Sequence, residues 1–428
     1  MSESLEIKPV DSPIHARVRP PGSKSITNRA LVCAGLAEGI STLTGALDSE
    51  DTRVMIGGLR RLGIEVESQD AGQSLTVRGA DGAIPARSAD IFCANSGTTI
   101  RFLTALVTLG HGDYRLDGIE RMRERPIGDL IDSLIQLGAS VKSEAGNGCP
   151  PVLVRASGLP GGAAAIRGNI SSQFLSALLM AAPAAKTPVE LHIDGTLVSQ
   201  PYVRMTLAVM KAFGVQVATS MSLDELRIAS PRKYIACPYA IEPDASAASY
   251  FLAAAAITGG EVTVEGLSRE SLQGDVDFVL CLAQMGCEVR HATDSITVLG
   301  HPLRGVAVDM NAISDTVQTL AVVALFAEGE TTIRNVAHIR HKETDRIAAL
   351  ATELRKLGAE ITERPDGLTI ASKKLQPATI DTYNDHRMAM SFALAGLRIA
   401  GVRINNPECV FKTYPAYFDD IARATKQE

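Results

Sequence analysis

Apolar positions along this chain recur in a fixed pattern. The segments TRVMIGGLRRLG, IGDLIDSLIQLG and ETDRIAALATELRKLG place apolar residues three and four apart, the spacing of one helix face. Each ends in glycine, and a run rich in Val or Ile follows. The junction appears as LGIEV, LGASV, FGVQV, MGCEV and LGAEI, with glycines at Gly63, Gly138, Gly214, Gly286 and Gly358, 72 to 76 residues apart. Glycine just past a helix, followed by a β-rich run, predicts a helix-to-strand junction. A sixth helix of this type, AYFDDIARATKQE, stands where a sixth glycine would fall.

A second helix series interleaves with the first, starting near Ser25, Gly97, Ser172, Asp244, Asp315 and His386. Its members are more evenly apolar. Short strands such as EVTVEG, ETTIRN and VRINN follow most of them, and hairpin-like pairs such as CEVRHATDSITVLG follow the glycines of the first series. The predicted unit is β-α-β-α-β-β, repeated six times. Six units exceed one core, so three plus three is expected, with a break near residues 236–243. The strand before Pro20-Pro21 can pair with either half.

Composition narrows the class. The 428 residues are 46% hydrophobic, enough for a large core, and carry a formal net charge of −6. A basic footprint for nucleic acid is therefore not expected. There is no Trp, and Ala-rich runs such as FLAAAAI and LLMAAPAA suit close packing of helices on sheets. Seven scattered Cys without a CxxC pattern, and no charged-then-apolar leader in MSESLEIKPV, point to a reduced cytoplasmic protein. No apolar run reaches transmembrane length, so no membrane partner is expected.

The helix starts carry the candidate chemistry. Free N–H groups and the helix dipole favour acids there. The stretch PGSKSITNRA instead places Lys24, Ser25, Thr27, Asn28 and Arg29 just before an apolar run. Equivalent starts carry Asn95-Ser96-Gly97-Thr98, Ser171-Ser172-Gln173, Asp315 and Asp385-His386-Arg387. The other series adds Arg121 to Arg125, Ser199 with Tyr202, Lys342-Glu343 with Arg346, and Lys412. Lys342 and Arg346 are four apart and would share one helix face, where like charges repel. One such group can be a solvated surface, and Ser or Asp at a helix start is usually only a cap. Recurrence at several starts argues for phosphate or carboxylate ligands. PGSKS lacks the P-loop spacing, and G-x-G-x-x-G is absent. Cys93 has no marked partner base and reads as a core residue. His338 and His341 alone are too few for a metal site.

PGSKSITNRA, NSGTTIR, RMRERPIG, SSQFLSALLM, KETDR and NDHRMAM, in this order along essentially the whole chain, resemble the 5-enolpyruvylshikimate-3-phosphate synthase family. The resemblance implies an α/β protein of two domains, each of three β-α-β-α-β-β repeats of the inside-out α/β barrel type, with the active site in the interdomain cleft. It implies domains of residues 22–240 and of 1–21 with 241–428. It also implies enolpyruvyl transfer from phosphoenolpyruvate to shikimate 3-phosphate in aromatic amino acid biosynthesis, and a glyphosate target.

Carried over residue by residue, the resemblance implies that Lys24, Ser25, Arg29, Ser171, Ser172, Gln173, Ser199, Tyr202, Asp315, His338 and Lys342 meet shikimate 3-phosphate. Lys24, Asn95, Gly97, Thr98, Arg125, Gln173, Glu343, Arg346, His386, Arg387 and Lys412 are implied to meet phosphoenolpyruvate. Asp315, Glu343, Lys24 and Lys342 are implied to be catalytic. Asp315 is the expected base for the 5-hydroxyl and Glu343 the expected acid for C3. The pattern departs from the familiar bacterial one at Phe102, where Pro often follows the Arg, and at His338, where Asn is familiar. No metal or organic cofactor is implied, and a monomer acting on small molecules is expected. The related transferase acting on UDP-N-acetylglucosamine usually has a reactive Cys in the loop matching RMRERPIG, and this loop has none. RNA 3′-phosphate cyclase needs a nucleotide and fewer repeats. A non-catalytic phosphometabolite-binding repeat protein would explain the cations but not Asp315 and Glu343 among them.

Overall fold

The computed structural model describes residues 4–426. Among them are twelve α-helices: α1 (Lys24–Leu36), α2 (Glu50–Arg61), α3 (Gly97–Val107), α4 (Gly128–Gln136), α5 (Ser172–Ala181), α6 (Gln200–Ala212), α7 (Ala245–Thr258), α8 (Phe278–Gln284), α9 (Val317–Val323), α10 (Arg346–Lys356), α11 (His386–Gly396) and α12 (Tyr417–Thr425). The two series read from the pattern are the odd and the even helices. The five junction glycines follow the even helices and all adopt left-handed φ, from +83° at Gly63 and Gly214 to +118° at Gly286. A side chain is strained in that conformation, which is why the period shows in glycine.

The chain divides into two compact units, residues 22–241 and residues 1–21 with 242–428. Ile241 stays with the first through its N–H, which donates to Thr44 O at 2.8 Å. In the first unit the odd helices α1, α3 and α5 pack on one another; in the second, α7, α9 and α11 do. Every residue of α3, α7, α9 and α11 is buried. Helices surrounded on all sides need small residues for close approach, and Ala-rich α7 supplies them. An added large side chain at Ala253, which is fully buried, should cost about 1–3 kcal/mol. The even helices present one apolar face to the core. The sheets do the same, as the alternating exposure of Ile40–Thr44 illustrates.

Five sheets share one topology: a first strand runs parallel to a second, and the later hairpin pairs antiparallel onto that second strand. In residues 22–241 one sheet runs Ser88–Phe92, His111–Asp117, Val152–Ser157, Ser140–Ser143, and another Gly162–Arg167, Val189–Asp194, Glu225–Ile228, Ala218–Thr219. The third takes its first strand from the far end of the unit: Pro238–Ala240 lies parallel to Thr42–Thr44. The N-terminal strand His15–Val18 instead lies parallel to Glu261–Val264 and opens the first sheet of the other unit. Among the described residues the sixth repeat has no hairpin of its own. Leu5–Glu6 takes that place, antiparallel to Arg403–Ile404. The six-fold β-α-β-α-β-β pattern therefore holds with two first strands exchanged and one hairpin replaced. The sheets remain separate, and no closed β-barrel forms among the described residues.

Candidate active-site residues

In residues 22–241 the candidates gather at the starts of α1, α3, α5 and α6. Helices α2, α4 and α12 follow the dipole rule with acids in their first turns. Helices α1, α3, α5 and α6 have none there. Ser23, Ser96 and Ser171 cap α1, α3 and α5 through their hydroxyls. Lys24 opens α1, with Nζ 3.5 Å from Asp51 Oδ2 of α2. Asn28 Nδ2 donates to Thr98 Oγ1 at 2.8 Å, joining α1 to α3. Arg101, on α3, donates from Nη1 to Gln173 Oε1 at 2.6 Å and from Nη2 to Pro126 O at 3.2 Å. Arg125 Nη1 donates to Asn95 O at 2.9 Å and Asn95 Oδ1 at 3.1 Å. Gly97 lies against this guanidinium: an added methyl would stand 2.6 Å from Arg125 Nη2 and 3.2 Å from Arg101 Nη1. Ser172 follows the α5 cap, and Ser199 starts α6 with a left-handed φ of +54°.

Arg29 is buried and held by protein groups. It donates to Thr206 Oγ1, Ser25 O, Ser176 Oγ and Tyr202 O at 2.7–3.3 Å, and stacks 5.3 Å over the Phe102 ring. Burial lowers its pKa to about 10. Ser25 and Tyr202 thus enter the cluster through their carbonyls on Arg29, which ties α1 to α5 and α6.

In the other unit the candidates converge on Asp315, in the turn Ser314–Thr316 just before α9. Arg387 Nη2 donates to Asp315 Oδ2 at 2.8 Å. Arg346 Nη1 and Lys342 Nζ lie 3.3 and 3.5 Å from Asp315 Oδ1. Arg346 is only 1% exposed in its side chain. It also donates to Asp385 from Nε at 2.7 Å and Nη2 at 3.2 Å, and to Glu343 Oε2 at 2.8 Å. Burial opposes its charge, and Asp385, Glu343 and Asp315 more than offset this, raising its pKa. Lys342 and Arg346 do not share a helix face, contrary to the spacing. Lys342 ends a 3₁₀ turn over Ala337–His341, and Arg346 is the first residue of α10. They meet on one carboxylate instead of repelling along a helix.

Two histidines complete this cluster. Burial, then the nearby Lys342, lowers the His338 pKa to about 3, so its ring is neutral near pH 7. Burial and Arg387 push His386 well below its ordinary value. Among the described residues both ring nitrogens of His386 are buried without a hydrogen-bond partner, Asp385 Oδ1 lies 3.6 Å from Nδ1, and Lys412 is among the charges that the ring feels. Lys342 is lowered by burial, with Asp315 opposing. Lys412 ends the turn Pro407–Lys412 and is buried.

Comparison with known proteins decides the family. The model of "EPSP synthase (3-phosphoshikimate 1-carboxyvinyltransferase)" matches residues 9–421. The chain belongs to the EPSP synthase family. It is 48% identical to the 3-phosphoshikimate 1-carboxyvinyltransferase of Nostoc punctiforme over 99% of this chain and 100% of that one. It is 49% identical to the chloroplastic enzyme of Solanum lycopersicum over 96% and 83%. The EPSP synthase structure from Acinetobacter baumannii superposes with a TM-score of 0.81 at 26% identity, covering 98% of both chains.

In this EPSP synthase family chain, the sequence names Asp385 among the helix-start groups but gives it no role, and it does not single out Arg101 or Asp51, which the fold places in the two clusters. Asp385 reads as an ordinary cap, and it does cap α11 by accepting from Arg387 N at 2.9 Å. Its second task, holding Arg346, depends on a partner 39 residues away. Arg101 had a readable signal: it is the one charge in the apolar helix GTTIRFLTALV.

Proposed function

We propose that this chain transfers the enolpyruvyl group of phosphoenolpyruvate to the 5-hydroxyl of shikimate 3-phosphate with release of phosphate, and that both residue clusters serve this one reaction. The 5-hydroxyl oxygen bonds to C2 of phosphoenolpyruvate while C3 takes a proton. The resulting tetrahedral adduct then loses the C3 proton and expels phosphate from C2, restoring the double bond. The reaction needs a base, an acid and cations matched to four anionic groups, a phosphate and a carboxylate on each substrate.

The convergence of Lys342, Arg346 and Arg387 on Asp315 carries this reading. Asp315 takes the hydroxyl proton, and Lys342, with its lowered pKa, assists with Lys24. Glu343 supplies and recovers the proton at C3. Ser25, Ser171, Ser172, Gln173, Ser199, Tyr202, Arg29 and His338 bind shikimate 3-phosphate. A neutral His338 donates one N–H without adding a charge. Asn95, Gly97, Thr98, Arg125, Arg346, His386, Arg387 and Lys412 receive phosphoenolpyruvate. The two compact units are proposed as the two domains of a cytoplasmic monomer. No helix among the described residues is long and apolar enough to cross a membrane.

The test is phosphate release from phosphoenolpyruvate, assayed with and without shikimate 3-phosphate. Release that requires shikimate 3-phosphate supports the assignment. Release without it, or with UDP-N-acetylglucosamine in its place, refutes it.

A further inference from the structure

Glu353 stands on α10 two turns beyond Arg346 and has no exposed surface. Counted back five residues from the junction glycine, its counterparts in the first four repeats are Gly58, Ser133, Val209 and Cys281. All four are buried as well. The fold therefore accepts a small or apolar residue here, and a carboxylate is a special feature of the fifth repeat. A buried carboxylate is unfavourable unless its oxygens are bonded. Those of Glu353 are: Oε1 accepts from Tyr383 Oη at 2.7 Å, and Oε2 accepts from Asp381 N at 3.0 Å and lies 2.8 Å from Lys356 Nζ.

The segment so held leads into α11. Tyr383 and Asn384 have φ of +53° and +54°, consecutive left-handed residues without glycine, immediately before Asp385. Side chains rarely adopt that conformation, and it persists only where surrounding contacts enforce it. Asn384 Oδ1 in turn accepts from Asn406 Nδ2 at 3.3 Å. Asn406 is itself left-handed, at +48°, and starts the turn that ends in Lys412. One chain of contacts thus links the helix of Arg346, the start of the helix of Arg387 and the turn of Lys412.

We infer that Glu353 and Tyr383 are positioning residues: they hold the strained Tyr383–Asn384 segment so that Arg346, Arg387 and Lys412 keep one fixed spacing for the anionic groups of phosphoenolpyruvate. This rests on the reading of those three cations given above. Glu353 and Tyr383 themselves touch neither substrate. Losing either leaves the cations present and loosens their spacing. The effect should fall on phosphoenolpyruvate and spare shikimate 3-phosphate.

The experiment compares wild type with Tyr383→Phe and Glu353→Gln by steady-state kinetics in both substrates, and by hydrogen exchange of a peptide spanning residues 381–390. Tyr383 is 42% exposed, so loss of its hydroxyl alone should not prevent folding. Both variants should raise the KM for phosphoenolpyruvate at least ~10-fold and keep that for shikimate 3-phosphate within ~3-fold. Exchange in the peptide should quicken. A lower melting temperature with unchanged phosphoenolpyruvate KM refutes the inference and leaves a merely structural network. Equal rises in both KM values refute it as well. If wild type shows no phosphate release dependent on shikimate 3-phosphate, the functional reading fails. Exchange then decides the network separately: quickening supports it, and unchanged exchange refutes it.

Discussion

Replacing Gly97 by Ala should weaken phosphoenolpyruvate binding at only a modest cost to the stability of the fold. The added methyl would stand 2.6 Å from Arg125 Nη2 and 3.1 Å from its Cζ, whereas ordinary contact begins at 3.4 Å. The guanidinium must retreat by about 0.8 Å, and a side-chain end normally does so at little cost. This one is only 3% exposed and is bonded to Asn95 at 2.9 and 3.1 Å. A retreat of that size takes both contacts towards or beyond bonding range. A hydrogen bond from a charged donor is worth about 1.5–3 kcal/mol. Misplacing Arg125 by that amount should raise the phosphoenolpyruvate KM about 10- to 100-fold. The shikimate 3-phosphate KM should stay within about threefold. Gly97 is the first residue of α3, and its φ is not left-handed, so Ala adds helix propensity of up to ~1 kcal/mol. Set against the weakened Arg125 contacts, this leaves a net loss of about 0.5–2 kcal/mol in thermal unfolding. Steady-state kinetics in both substrates and a melting curve check the two signs. A phosphoenolpyruvate KM within twofold of wild type would refute the steric argument. A loss well beyond about 2 kcal/mol would show that the methyl disrupts the helix start instead.

Three further outcomes follow from the second cluster. Asp315→Asn should lower turnover by at least ~100-fold with shikimate 3-phosphate affinity within ~10-fold, measured by phosphate release and calorimetry; near-normal turnover removes Asp315 from the chemistry. Asp385→Asn takes a carboxylate from buried Arg346 and should cost about 3–5 kcal/mol in denaturant unfolding; a cost below about 1 kcal/mol would show that Glu343 and Asp315 suffice to hold that cation. His338, with a folded pKa of about 3 against 6.5 unfolded, contributes stability that is complete above pH 6.5 and is lost as pH falls towards 3. At pH 5 its share of the loss is about 2 kcal/mol, so His338→Asn should flatten the stability curve between pH 6.5 and 5; an unchanged slope refutes a buried, neutral His338.

How far the sequence speaks depends on how local each feature is. Gly63 and its four counterparts reveal the repeat because a left-handed helix end is a property of one residue. The strands Pro238–Ala240 and His15–Val18 conceal their places, because nothing within three or four residues says which distant strand they join. The same limit applies to charge. Lys342 and Arg346, read as neighbours four apart, appear as mutual repulsion. In the fold Asp315 and Asp385, 31 and 39 residues from Arg346, turn them into parts of a bonded cluster. Lys24 has Asp51 in the same way. Cationic helix starts suggest anionic ligands, but counting the cations alone overstates the repulsion between them. Each cluster supplies carboxylates of its own. On the proposed function, an incoming phosphate or carboxylate would join or exchange with acceptors already in place, and fixing those acceptors also fixes the cations. Asp385, which looks like a simple cap, thus fixes Arg346 as well as the start of α11.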